Sequence, residues 1–364
     1  MFTTAQFRIF AGEPQERALI RPRYLLRDGD RAQAAEAYLE VLASEPRLKA
    51  AWGEYFQLLR AEGRFDDALA LADRAAEFFE GDAFSGALKG AALVEMGRLR
   101  QAIACLQASA ELDPDFGMVW HEMGYAAYRL GELSAALLAL DRAFALDPRS
   151  GTLHLRGKIL RTAGQFLAAE VAFAAAAEAA EFGEQRVEAE AQIGLTRRYA
   201  HFGKRPGELS AGQRMFAEHG SVVLTGEGGS APPSDSDILD GFLKIASTEK
   251  WQFTVLAPCD DWPGWTALAH ALGLPIEEAL LPSFGMVPLV VARRALAGDA
   301  RWITGQQAVQ GTQSGLTFVL EQDGDESSTD VIGRIPGVSG EIRIEDALAA
   351  LTHPEARVAG RRLR

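Results

Sequence analysis

An all-α helical solenoid followed by a smaller α/β domain is the fold that this 364-residue sequence predicts. Three observations predict it. Small residues recur every 34 positions through the first half of the chain, the recurrence stops near Lys204, and strand-like and helix-like segments alternate from there to the end. The boundary therefore falls between a helical-repeat domain, residues 1–204, and an α/β domain, residues 205–364.

The repeat is marked by glycine, alanine and proline. Gly29, Gly63, Gly97 and Gly131 stand 34 residues apart, and Ala34, Ala68, Ala102 and Ala136 follow each by five. Pro46, Pro114 and Pro148 close repeats on the same register, with Glu80 in the place between, and Trp52 and Trp120 share an early position. This spacing encodes a helix pair: glycine permits the tight turn, alanine lets the second helix approach the first, and proline ends it. The first helix of the first pair, near residues 15–27, contains Pro22 and should be short or irregular. A further pair runs from about Ser150 to Glu184 with one residue lost, placing Gly157, Gly164, Ala169, Phe173 and Ala176 in register. Gln185 to Phe202 reads as a capping helix.

In the clearest copy, Met118 to Pro148, residues Trp120, Gly124, Gly131, Ala136, Leu140, Ala143 and Pro148 follow an order of large, small, turn, small, large, small and breaker. This resembles the tetratricopeptide repeat (TPR) family over about residues 22–203. The resemblance implies a right-handed superhelix with a concave binding face, a protein or peptide partner, and no catalysis.

Arg205-Pro206-Gly207 reads as a linker. Beyond it, strands are expected at Ser221–Leu224, Phe253–Ala257, Val287–Ala292, Leu316–Leu320, Val331–Ile335 and Glu341–Ile344. Helices are expected at Asp237–Ala246, with Ser234 or Asp235 as cap, at Trp265–Leu272, and at Glu345–Leu351. Such alternation gives a mostly parallel sheet. The layout around Thr266–Pro275 and Pro288–Arg294 is weakly similar to phosphoribosyltransferase-like domains. In that family two adjacent acids and a Thr-rich phosphate loop follow a later strand. Here Gln322 interrupts Glu321 and Asp323, and Ser327-Ser328-Thr329 comes late, so an intact transferase site is not expected.

Other motifs are incomplete. Gly226-Glu227-Gly228-Gly229 with Ala231 matches a dinucleotide fingerprint formally, but Pro232-Pro233 separates it from the helix that must hold the pyrophosphate. A surface loop is the expectation. His121-Glu122 begins a zinc-protease helix, but Tyr125 stands where the second histidine must be. No P-loop or nucleophile elbow occurs. The run Glu321, Asp323, Asp325, Glu326, Asp330 lacks calcium-loop spacing, and Asp323-Gly324 reads as a hairpin turn. Asp260-Asp261 follows a strand end, as a cap or loop. Trp251, Trp262, Trp265 and Trp302 are expected in the core, with Trp262 or Trp265 as an alternative exposed anchor. The tail with Arg357, Arg361, Arg362 and Arg364 reads as a frayed end. No cofactor and no metal is expected.

Repeat register assigns the concave face to the second, fifth, ninth and twelfth positions of each first helix. These are Gln57 and Arg60; then Phe84, Ala87, Ala91 and Val94; then Met118, His121, Tyr125 and Tyr128; then His154, Lys158 and Arg161. The wall so drawn is apolar and aromatic in the middle and cationic at both ends. Family members that grip a chaperone's terminal carboxylate use Lys at the fifth position and Asn at the ninth. Here His121 with Tyr125, and His154 with Lys158, take those places, so that clamp is absent.

Net charge is −13, with −5 over residues 1–204 and −8 over 205–364, which argues against nucleic acid as partner. Cys105 and Cys259 form neither a disulfide framework nor a zinc spacing and suit a reducing compartment. Without a signal-like start or an apolar run of membrane length, a cytoplasmic protein with no membrane partner is expected. The function expected is that of an adaptor or scaffold binding a peptide or protein through its groove, not that of an enzyme. Two alternatives stand beside it. In one, the α/β domain is an enzyme or a nucleotide- or phosphate-sensing module served by the repeats. In the other, the repeats self-associate, or the chain's own C-terminal half fills the groove.

Overall fold

A computed structural model describes residues 14–226, 228–229, 231–277, 285–294, 298–312, 314–322, 329–357, 359 and 363. The chain divides into two compact units, Met1–Ile193 and Gly194–Arg364.

The first unit is built of helix pairs. A 3₁₀ turn, Pro14–Leu19, leads into α1 (Ile20–Arg27). Pro22 sits in the first turn of α1, where its missing N–H is tolerated, so the first helix of the array is short, as expected. There follow α2 (Arg31–Ser44), α3 (Lys49–Ala61), α4 (Phe65–Phe78), α5 (Ala83–Glu95), α6 (Leu99–Leu112), α7 (Gly117–Arg129), α8 (Leu133–Leu146), α9 (Ser150–Thr162) and α10 (Phe166–Glu178). The capping helix is α11, Gly183–His201, whose last turns belong to the second unit.

Each turn glycine has the left-handed conformation that ends a helix: φ is +87° at Gly29, +70° at Gly63, +73° at Gly97, +79° at Gly131 and +78° at Gly164. The tryptophans that recur in the sequence do the same job twice. Trp52 Nε1 donates to the Pro46 carbonyl at 2.9 Å, and Trp120 Nε1 to the Pro114 carbonyl at 2.8 Å. Each therefore ties the start of a repeat to the proline that closes the one before.

The interior of each pair is set by one large and one small residue. A Cβ on Gly90 would lie 2.4 Å from Leu106, one on Gly124 2.7 Å from Leu140, and one on Gly157 2.8 Å from Phe173. In the second repeat the sizes are exchanged: Phe56 stands at the glycine position and Ala72 at the leucine position, both fully buried. The volume at the contact is conserved while its donor changes sides.

The second unit is an α/β sandwich. Helix α12 (Ala211–His219) precedes β1 (Val222–Val223), and α13 (Asp235–Thr248) follows it. Then come β2 (Val255–Pro258), α14 (Gly264–Leu272), β3 (Pro288–Arg294), α15 (Ala300–Thr312), β4 (Leu316–Glu321), β5 (Val331–Arg334) and α16 (Ile344–Leu351). The sheet runs β1-β5-β4-β3-β2, and every neighbouring pair is parallel. One face packs against Phe242, Trp265 and Ala350 from α13, α14 and α16; the other packs against Trp302 and Val309 of α15. Burial on both faces is why the strands read as continuous apolar runs.

Three expectations are corrected. The hairpin turn at Asp323-Gly324 is overturned, because β4 and β5 pair in parallel; Asp323, Asp325 and Glu326 lie outside the described residues. The strand at Glu341–Ile344 reduces to an isolated bridge between Thr225 and Ile342, and α16 takes Ile344. Helices α12 and α15 were not anticipated. In α15, Gly305 hides the helical signal, yet a Cβ there would meet Val290 at 2.5 Å, so glycine lets the helix lie close on the sheet.

Candidate binding groove

The first helices of the later repeats line a cavity of about 590 Å³, within the range that holds ligands. Its walls include Gln57 and Arg60 of α3, Met118, His121, Tyr125 and Tyr128 of α7, His154 and Lys158 of α9, and Gln185 and Glu188 of α11. Of the residues assigned to the groove by register, Arg161 lies beside it, donating to Gln192 Oε1 at 2.7 Å and covering the Phe173 ring. Phe84, Ala87, Ala91 and Val94 of α5 are fully buried and do not line it.

They are packed into core clusters with the neighbouring helices, Phe84 and Ala91 with residues of α3 and α4, Ala87 with Val119 and Val94 with Ala126 of α7. Arg60 is held within the chain as well. Its guanidinium reaches Glu95 of α5 at 2.6 Å and Glu122 of α7 at 2.9 Å, with the Arg60 and Glu122 side chains 3% exposed. Arg60 thus links α3 to both α5 and α7. The expected cationic end at Arg60 is therefore neutralised within the chain. Glu122 was missed in the sequence because it sits one place from His121, off the stripe that register selects.

The remaining residues are lightly tied and, apart from the buried Gln57, half-buried. His121 Nδ1 is 3.1 Å from Thr152 Oγ1, and burial pushes its pKa down. Burial, with the nearby Lys158 and Arg161, holds His154 at about 4, so it is neutral at pH 7. Its ring meets Phe173 edge-on, and its buried Nε2 has no hydrogen-bond partner, although Glu188 Oε1 stands 3.5 Å away. Arg129 donates to the Tyr125 hydroxyl at 3.3 Å and lies over its ring; the Tyr128 hydroxyl is 3.5 Å from Thr162 Oγ1. Burial also lowers the pKa of Lys158, Glu188 opposes that shift and Arg161 adds to it. Among the described residues the Lys158 ammonium has no hydrogen bond and no ion pair. Gln57 is 8% exposed, and its Oε1 has no partner.

In the second unit, the charged groups at the carboxyl ends of the strands satisfy one another. Arg334 is bound by Glu321 at 2.9 Å and by Asp235 at 2.8 Å, and Arg294 pairs with Glu321. Asp260 accepts from the indole of Trp265 at 2.6 Å and from the Trp262 backbone, so it braces the loop. Trp265 is buried and Trp262 packs edge-on against it at 4.8 Å. Two amides of the glycine loop are committed: Gly226 N–H donates to Glu341 O at 2.9 Å and Gly228 N–H to Ser339 O at 3.3 Å. Thr329, the last residue of the segment compared with a phosphate loop, is buried and donates to Oε1 of the buried Gln322 at 3.0 Å; Ser327 and Ser328 lie outside the described residues. Among the described residues there is no cluster of metal-ligating side chains, and no helix is long and apolar enough to cross a membrane.

Residues 23–83 and 88–151 match the model of the tetratricopeptide repeat family. Residues 23–151 form a TPR region. Nothing in the comparisons supports a phosphoribosyltransferase-like second domain. No curated protein matches the chain. Among solved structures, the chain is similar to a thermophilic TPR protein of Thermus thermophilus, with 18% identity, 49% of this chain and 98% of that one covered, and a TM-score of 0.44. It is similar to PilW, a type IV pilus biogenesis factor, at 19% identity, covering 57% and 92% with a TM-score of 0.42. It is also similar to YrrB, a TPR protein with an unusual peptide-binding site, at 15% identity, covering 48% and 90% with a TM-score of 0.31.

Proposed function

We propose that this protein is an adaptor whose TPR groove holds an extended segment of a protein partner. The observation that carries the reading is the groove's make-up: Tyr125 and Tyr128, three residues apart on one face of α7, beside His154 and Lys158 on α9, all lining one cavity. A TPR region gives a chain a general interaction role, and half-exposed aromatic side chains beside a cation are typical anchors of a binding surface. The two histidines, kept neutral by burial, add hydrogen-bonding capacity at little electrostatic cost.

The test is affinity capture of partners from the source cell with the full-length protein and with a Tyr125→Ala/Tyr128→Ala variant. Losing one good anchor costs about 2 kcal/mol, roughly thirtyfold in affinity. Partners recovered by the wild type are therefore expected to be lost from the folded variant. Unchanged recovery by a variant with wild-type circular dichroism would rule the groove out.

A further inference from the structure

Among the described residues three polar groups in the groove lack a hydrogen-bond partner within the chain; His154 Nε2 has Glu188 3.5 Å away, and the other two are of different kinds. At one end is the amide of Gln57, more than nine-tenths buried, with Oε1 unpaired. Three repeat positions along, on α9, is the ammonium of Lys158, which has no ion pair among the described residues. The contrast with the other cations of the wall is informative. Arg60 is neutralised by Glu95 and Glu122 and Arg149 pairs with Asp147, while Arg129 is exposed to water and donates to the Tyr125 hydroxyl, so Lys158 is the half-buried cation of the wall without an ion pair among the described residues. Glu188 is the carboxylate that most affects Lys158, but it is half-exposed and turned to His154.

Resting on the groove reading, we infer that the segment bound there carries an acidic side chain, seated on Lys158, and a backbone peptide group paired with Gln57. A buried amide left unsatisfied costs about 1–3 kcal/mol, and a peptide unit, which has both a donor and an acceptor, can relieve it whichever way the amide faces. A free anion would satisfy Lys158 but not Gln57.

Register supplies the spacing. Gln57, Ala91, Tyr125 and Lys158 occupy the same position on α3, α5, α7 and α9. Three helix spacings of about 8–10 Å give roughly 25 Å along the groove, or some seven or eight residues of extended chain. Tyr125 lies one spacing from Lys158, so an apolar residue about three positions from the acid rests on the tyrosine shelf. The cavity continues past α9 to Gln185 and Glu188 of α11, so the bound chain runs on beyond Lys158. The acid is therefore an internal Asp or Glu and not a chain terminus.

The experiment is selection of a displayed library of random 12-residue peptides on the full-length protein, with the Tyr125→Ala/Tyr128→Ala variant as counter-target. Enriched peptides are expected to share one internal Asp or Glu, with an apolar residue about three positions away. Changing that acid to its amide should weaken binding to wild type about tenfold, yet less than about twofold to Lys158→Gln. Lys158→Glu should select Lys or Arg at that position. Amidating the peptide C-terminus should change affinity less than about twofold. Enriched peptides without the acid, with an acid indifferent to Lys158, or dependent on a free C-terminus would overturn this inference and leave the groove reading standing. Enrichment that survives equally on the tyrosine variant, or none at all, would overturn both.

Discussion

Arg60 brings a full charge into a place nearly closed to water, and two carboxylates make that tolerable. Removing one partner of such a set leaves the others buried and unpaired, which costs about 3–5 kcal/mol. Arg60→Met should lower stability by that amount in urea unfolding, whereas Arg60→Met with Glu95→Gln and Glu122→Gln should recover much of it. A triple variant no better than the single one would show that the arginine matters for packing rather than charge. His154 makes a second prediction at this scale. Its native pKa, about 4, lies below the ordinary value of 6.5, so the unfolded chain binds the proton more readily. Its contribution is complete above pH 6.5 and is lost as pH falls from there to about 4, at most on the order of 3–4 kcal/mol. Nuclear magnetic resonance titration should give a midpoint near 4 for this ring, and His154→Gln should flatten the acid limb of the stability curve. A midpoint near 6.5 would mean the ring is solvated.

The helix pair is the unit in which size complementarity acts. Gly124 lets α7 approach Leu140 of α8, and a Cβ there would also stand 3.2 Å from the Ala136 carbonyl. Gly124→Ala is expected to cost about 1–3 kcal/mol by overpacking. Combined with Leu140→Ala it should cost clearly less than the sum, because Phe56 facing Ala72 shows that the exchanged arrangement is accommodated. Strict additivity in a double-mutant cycle would deny the contact. This scale also shows where sequence reading works. A glycine recurring at a fixed place is visible as a repeat, but the lone Gly305 in α15 reads as a breaker until the sheet beneath it is known.

At the scale of the molecule, the array has no single core. Its buried clusters lie mostly between adjacent helices, as in a solenoid, while the α/β unit closes around one sheet. Residues Gly203, Lys204, Arg205 and Gly207 are exposed between α11 and α12. Limited trypsin digestion is expected to cut first after Lys204, the bond after Arg205 being protected by Pro206, and to release an N-terminal fragment that is helical by circular dichroism. First cuts inside the repeats, mapped by mass spectrometry, would contradict that boundary.

The periodic features were determined by the sequence alone, because each is a local property: a left-handed turn needs glycine, a close crossing needs a small residue, and proline stops a helix. The period placed Tyr125, Tyr128, His154 and Lys158 on first helices, and the structure sets them in one cavity wall with Gln57 and Arg60. Burial on both faces was likewise legible as apolar strand runs. What only the tertiary structure decided is which of the charges are met. Arg60 and Lys158 are both cations on the stripe that register assigns to the groove, yet one is neutralised by residues 35 and 62 positions away and the other is not. Parallel pairing of β4 with β5 and the commitment of the Gly226 and Gly228 amides are of the same kind. Partners of this sort come from distant parts of the chain, and a local pattern contains no term for them.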